Sequence, residues 1–180
     1  HTPGSIASLG PKDFLRNNQV DLPQVFNLQP GVRMEFRSIN TGARILIRGY
    51  GNQNNFNGIG YKAYYDDIPL TDADGTTLLD DIDFGSVGDV EVTKGPSGTL
   101  YGLAIAGVVN LKTLRPEKNK TSIGQDVLIG SYGLQRYTTH LEIGKENSSL
   151  LVNYGHQGSN GYLLHNASHK DFVNVAGDFK

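Results

Sequence analysis

From residue 121 to the end, apolar and polar side chains alternate with a period of two through four successive segments. Over 121–132, Ile123, Val127 and Ile129 sit at odd positions and Gly124, Asp126 and Gly130 at even ones. Over 135–146, Tyr137, Thr139, Leu141 and Ile143 share one face, and Arg136, Thr138, His140, Glu142 and Glu146 the other. Over 149–156, Leu150, Val152 and Tyr154 alternate with Leu151, Asn153 and Gly155; over 170–180, Val173, Val175 and Phe179 oppose Asn174, Asp178 and Lys180. Such a period belongs to β-strands and is incompatible with helices.

The breaks carry turn chemistry: Ser131-Tyr132-Gly133, Lys145-Glu146-Asn147-Ser148 and the longer region 158–161. Each segment is roughly 9–12 residues, the length of a tilted membrane-crossing strand. An antiparallel sheet with one solvated face shows the same alternation. Pattern alone leaves both readings open.

Composition narrows the rest. The 16 basic and 18 acidic residues leave a formal net charge of −2, without the basic surplus of a nucleic-acid binder. With no cysteine, a disulfide framework, a cysteine zinc site and a thiol nucleophile are excluded. No run reaches the 18 or so apolar residues of a membrane-spanning helix, a criterion blind to membrane β-barrels. Glycine supplies 23 of the 180 residues against a usual share of about 7 per cent, while Tyr and Phe contribute 9 and 7. That mixture favours strands joined by turns.

A polar, proline-containing stretch over 114–120 reads as a linker. Ahead of it the pattern is that of a compact mixed domain. Short helices are expected over 11–16 and 22–28, the second stopped by Pro30-Gly31. Strands are expected over 32–37, 44–48, 61–65, 89–94 and 108–112, with a Gly/Asn-rich connection over 49–58 and an Asp-rich one over 66–83.

Chemical motifs are sparse. The run from Gly95 to Gly102 lacks the Gly-Lys-Ser/Thr of a phosphate loop and reads as a turn. Asp72-Ala73-Asp74-Gly75 has its glycine too early for a calcium loop and no terminal glutamate in register, so no metal site is expected there. His165 and His169 lack the intervening glutamate of a zinc-protease helix. No Ser/His/Asp set has a nucleophile elbow, so neither an enzyme nor a cofactor is expected. Arg48 and Lys94 each end a strand beside a glycine, with Glu91 close by; charges there must be solvated or paired, either internally or against something enclosing the domain.

In order along the chain stand Pro30-Gly31-Val32, Ile47-Arg48-Gly49, Tyr65-Asp66-Asp67-Ile68-Pro69, Val90-Glu91-Val92-Thr93-Lys94-Gly95-Pro96, Leu100-Tyr101-Gly102 and Ala106-Gly107-Val108-Val109-Asn110-Leu111. Over about residues 5–113 this succession resembles the plug domain of TonB-dependent outer-membrane receptors. Three positions depart from the family pattern. Asp67 replaces a glycine, Lys94 an arginine, with loss of its planar fork, and Ala106 the first of two glycines.

The resemblance implies an α+β plug domain, a small mixed sheet with short helices, over 1–116. The opening antiparallel strands of a transmembrane β-barrel follow over 117–180. Four strands cannot close a barrel of about 22, so the rest of the barrel is expected elsewhere in a longer protein, as is the TonB box, before His1. Ile123, Val127, Ile129, Leu141, Ile143, Val173 and Val175 would then face lipid, and Arg136, His140, Glu142, Asn174 and Asp178 the lumen.

The implied function is uptake of a scarce, bulky nutrient across the Gram-negative outer membrane, a ferric siderophore first, driven by a TonB-type protein at the periplasmic side. Haem, cobalamin and oligosaccharides are the alternative ligands. By position, Gln53, Asn54, Asn55 and Phe56 correspond to the family's ligand-facing apical loop, with Arg37 available to an anionic ligand. Arg48 and Lys94, with Glu91, correspond to the charges that dock the plug onto barrel carboxylates. The alternative from another class is a soluble exported β-rich binding module, which would bury the faces bearing Ile129 and Leu141 in its own core.

Overall fold

The computed structural model describes residues 5–10, 22–38, 41–52, 57–96, 104–163 and 165–179. The chain divides into two compact units, His1–Thr113 and Leu114–Lys180, the division falling at the first residue of the 114–120 stretch.

In the first unit, β1 (Ser5–Leu9), β4 (Tyr61–Tyr65), β5 (Ile68–Pro69), β6 (Val87–Lys94) and β7 (Gly107–Thr113) form one sheet in the order β1-β6-β7-β4-β5. β2 (Val32–Glu35) and β3 (Arg44–Ile47) make a separate hairpin, and α1 (Leu22–Asn27) is the helix among the described residues besides a 3-10 turn at Phe84–Ser86. The expected helix over 11–16 lies outside the described residues. β4 and β7 are parallel and the other pairs antiparallel.

Alternation builds the core. Val90, Val92 and Lys94 of β6 point inward and Asp89, Glu91 and Thr93 outward. Val90 and Val92 join Leu9, Phe26, Met34, Ile45, Ile47, Ala63, Leu79 and Leu111 in one buried cluster. Six residues cannot hold a helix by themselves, so α1 depends on Phe26, which is fully buried, and on the Asn27 side chain, which accepts the Met34 amide at 2.9 Å. Tyr61 is buried in the same cluster with its hydroxyl accepting the Ile45 amide at 3.3 Å, and burial raises its phenol above the usual value.

Two departures from the family pattern acquire physical reasons here. Asp66 and Asp67 have φ of 45° and 69° and form the two-residue turn between β4 and β5, the geometry demanded by a tight hairpin and accessible to aspartate. Asp66 also accepts the Thr113 amide at 2.9 Å and its hydroxyl, tying the end of β7 to that turn. Ala106 is buried, but its Cβ is accommodated. The next residue, Gly107, is the indispensable one, because a Cβ there would overlap the Thr93 carbonyl oxygen.

The second unit is an antiparallel sheet, β8 (Thr121–Ile129), β9 (Gln135–Gly144), β10 (Ser148–Ser159) and β11 (Ser168–Phe179), in the order β11-β10-β9-β8. β10 runs past the expected break because Gly158 and Ser159 still pair with His169 and Ser168. His169 is therefore in a strand, while His165 stays in the connection with φ of 64°. The two turns at one end touch: the Asn160 amide donates to the Tyr132 carbonyl at 2.9 Å, and the Tyr132 and Tyr162 rings meet edge-on at 6.2 Å. No described helix is long and apolar enough to cross a membrane.

Candidate functional site

In the first unit the Pro30–Gly31 turn is a meeting point. Lys94 reaches it from the end of β6 and donates from Nζ to the Pro30 carbonyl at 2.9 Å; Arg48, just past β3, donates its amide to the Gly31 carbonyl at 2.8 Å. The two basic residues singled out in the sequence therefore lie around one turn but present themselves differently. Lys94 is only 7% exposed, its ammonium directed at an internal carbonyl. Arg48 is exposed and holds a left-handed φ of 52°, a conformation costing a non-glycine residue roughly 1–2 kcal/mol. Glu91 projects from the opposite side of β6 to Lys94, half-buried, so the two do not form an internal pair.

Arg48, Gly49 and Gly51, all at positive φ, start the connection that contains residues 53–56; Gly58 closes it by pairing with Thr77. Gln53, Asn54, Asn55 and Phe56 themselves lie outside the described residues. Arg37 is exposed beyond β2, in the turn that leads to β3, whereas that connection leaves from the other end of β3. The hairpin thus separates Arg37 from the stem of the loop it was expected to assist. At the Arg37 end, Asp80 clamps the turn by accepting the Gly42 and Ala43 amides at 3.0 and 2.8 Å.

In the second unit the register decides which side chains share a face, because directly opposed residues project to the same side. One face carries the row Ile123–Leu141–Val152–Val175, apolar on every strand. Toward the connected-turn end it continues through Gln125–Thr139–Tyr154–Val173 to Val127–Tyr137–His156–Asp171; toward the other end lie Ile143, Leu150 and Phe179. Ile123, Ile129, Val173 and Phe179 are 76%, 75%, 70% and 87% exposed. A self-contained soluble sheet would cover such residues, so the face expected to be buried in a binding module is open instead.

The opposite face carries Arg136, His140, Glu142, Asn174 and Asp178, as the alternation requires. His140 folds over Gly124, where any Cβ would overlap its ring, and its Nδ1 lies 3.6 Å from the Asp126 carboxylate. Phe172 covers Gly155 in the same way, and the Arg136 guanidinium stands 5.8 Å from the Phe172 ring centre. Among the described residues no group of three or more acidic or histidine side chains is placed to hold a metal ion. Asp72–Gly75 is a hairpin tip in which Asp74 accepts the Thr76 amide at 2.8 Å, as the turn reading requires.

The model of the TonB-dependent receptor plug domain family matches residues 1–108. The chain belongs to that family, whose members are receptors and transporters. It is 37% identical over 82 residues to the vitamin B12 transporter BtuB of Vibrio vulnificus, covering 45% of this chain and 12% of that protein. It is 30% identical over 97 residues to the pesticin receptor of Yersinia enterocolitica, covering 53% of this chain and 13% of that one. The solved structure of the pyoverdine outer membrane receptor FpvA from Pseudomonas aeruginosa, bound to pyoverdine, superposes with a TM-score of 0.71 at 17% identity over 99% of this chain and 25% of its own. At that identity the likeness is one of fold, and it extends through both units. The matched part of the chain spans about an eighth of the curated relatives' length.

Sequence reasoning missed several contacts. β1 is a five-residue strand whose inward Ala7 and Leu9 do alternate, but so short a run carries little signal. The bond from Lys94 to Pro30 spans 64 positions, and the Arg136–Phe172 stack depends on the cross-strand register; neither has a local signature.

Proposed function

We propose that this chain is the plug domain, residues 1–116, and the opening barrel strands, residues 117–180, of an outer-membrane receptor importing a scarce, bulky nutrient with energy from a TonB-type protein. The observation that carries it is the joining, in one chain, of a plug-family match to a sheet whose exposed face is an apolar band. Strands of 9 to 12 residues suit a tilted crossing of the bilayer core. The apolar face meets lipid, the polar face lines the lumen, and the end with the connected turns faces the outside. Gln53, Asn54, Asn55 and Phe56 supply ligand contacts. Arg48 is the plug cation that meets barrel carboxylates, with Glu91 on the outer face of β6, while Lys94 acts from within by holding the Pro30 turn in place.

The ligand is a ferric siderophore. The likeness to a cobalamin transporter favours cobalamin as the second reading. Cells expressing the complete receptor, with and without the energy-coupling protein, decide between them. Uptake of a labelled ferric siderophore that needs both proteins is expected; energised uptake of labelled cobalamin instead would establish the second reading. Uptake of neither, in a receptor correctly assembled in the membrane, would refute both ligand readings.

A further inference from the structure

The apolar face of the second unit changes character toward its connected-turn end. Two rows beyond Ile123–Leu141–Val152–Val175, His156 of β10 stands between Tyr137 of β9 and Asp171 of β11, with its Nδ1 2.7 Å from Asp171 Oδ1. One row further lie Gln135, Gly158 and His169. These two rows hold no Lys, Arg or Glu, so the ionisable groups facing His156 from β9 and β11 are Tyr137, Asp171 and His169.

The side chains are set as donors. Asp171 accepts from His156 Nδ1, which fixes a proton on that nitrogen and leaves Nε2 to meet a ligand. The Tyr137 hydroxyl donates to Gln135 Oε1 at 3.4 Å, so the amide nitrogen is that side chain's other polar atom. Gly158 has no side chain, and the Nε2 atoms of His156 and Gln135 lie 3.7 and 3.8 Å from where its Cβ would stand. Two nitrogens so placed are within hydrogen-bond reach of the oxygens of one phosphate.

We infer that Gln135, His156 and His169 hold the phosphate of a membrane lipid whose chains lie along the apolar rows beneath. This rests on the receptor reading and adds to it a headgroup site on the lipid-facing wall. Position and chemistry favour a lipid over a free anion. From Val152 to His156 the strand rises ~13 Å, or ~10 Å along the membrane normal at a tilt of about 40°, which brings the donors to the edge of an apolar band ~25 Å tall. In the row beneath them Tyr154 and Val173, 51% and 70% exposed, offer the surface that acyl chains require. With the Nδ1 proton held by Asp171, Nε2 donates only in the imidazolium, so the site strengthens with acidity.

The complete receptor in a non-ionic maltoside micelle is titrated with a short-chain phosphatidylglycerol and with the matching diacylglycerol, which lacks the phosphate, and bound lipid is read by native mass spectrometry. Phosphatidylglycerol should bind about tenfold more tightly, the effect of one exposed charge-assisted hydrogen bond and its neighbour, and excess inorganic phosphate should not displace it. Its affinity should rise several-fold from about pH 8 to about pH 5, the range over which imidazole ordinarily changes charge. Gln135→Ala should lower the preference several-fold, His156→Ala with His169→Ala should also remove the response to pH, and Gln125→Ala, on the same face away from the site, should do neither. Equal affinity for the two lipids, displacement by inorganic phosphate, or a double histidine variant that binds phosphatidylglycerol as the parent does would overturn the inference. Energised uptake is measured separately, so a receptor that transports without this lipid preference refutes the site and leaves the receptor reading standing.

Discussion

Placing an arginine at three positions of β8 tests the membrane assignment of the second unit. Ile123 lies in the row that is apolar on every strand, and Ile129 on the same face at the connected-turn end. Their exposures, 76% and 75%, are indistinguishable, so in water Ile123→Arg and Ile129→Arg would be equally harmless. In a bilayer they differ. Six residues at ~3.3 Å each separate them by ~20 Å along the strand, or about 15 Å along the membrane normal at a 40° tilt. An arginine at the midplane of a barrel's lipid face costs about 2–4 kcal/mol, and one near the interface about 0–1. Ser122→Arg is the internal control, since it projects to the polar face opposite Glu142 and bears no lipid penalty. Urea-driven unfolding of the complete receptor from lipid vesicles, with the folded fraction read from heat-modifiable mobility, supplies the three free energies. The expected order is Ile123→Arg far below Ile129→Arg, with Ser122→Arg near the parent. If Ile123→Arg and Ser122→Arg cost the same, the apolar face does not meet lipid and the reasoning from register to membrane fails.

Two further outcomes follow from the first unit. Gly107→Ala forces a methyl into the Thr93 carbonyl and should lower the plug's stability by about 2 kcal/mol or more, seen as faster proteolysis of the plug in the assembled receptor, whereas Ala106→Gly should change little. Burial raises the Tyr61 phenol, so the folded unit retains that proton where the unfolded chain, with a pKa of about 10, releases it; the associated stability is complete below about pH 10 and declines as pH rises through the folded value. Tyr61→Phe should flatten the alkaline limb of a pH–stability curve, at the cost of the Ile45 hydrogen bond, about 1 kcal/mol at neutral pH. An alkaline limb identical in the variant would assign the titration elsewhere.

The strands were legible wherever local alternation specifies them. Val90 and Val92 against Asp89 and Glu91, or Leu141 and Ile143 against His140 and Glu142, state their faces without reference to anything distant. The same local logic misplaced ends. Gly158 and Ser159 have the composition of a turn, yet the ladder carries on through them because His169 and Ser168 supply partners. Arg48 and Lys94 looked alike in sequence, each a cation followed by glycine at a strand end. Their different fates come from tertiary contacts: the inward face of β6 leads Lys94 to the Pro30 carbonyl, and the left-handed backbone at Arg48 leaves its side chain exposed. Arg37 and the Arg48–Gly49 step lie toward opposite ends of the β2–β3 hairpin, a placement set by strand pairing that distance along the sequence does not reveal.

The partner of β1 has a consequence for the order of events in the cell. Ser5 pairs with Lys94 and Leu9 with Val90, so β1, once synthesised, waits through about 80 further residues before its ladder exists. β4 likewise waits for β7, its parallel neighbour. Contacts of such span make folding slow and deny the growing chain an early stopping point. In a soluble cytoplasmic protein that delay is a hazard. Under the receptor function proposed above, the chain is threaded unfolded through an inner membrane, and the same topology keeps it open until that passage is over.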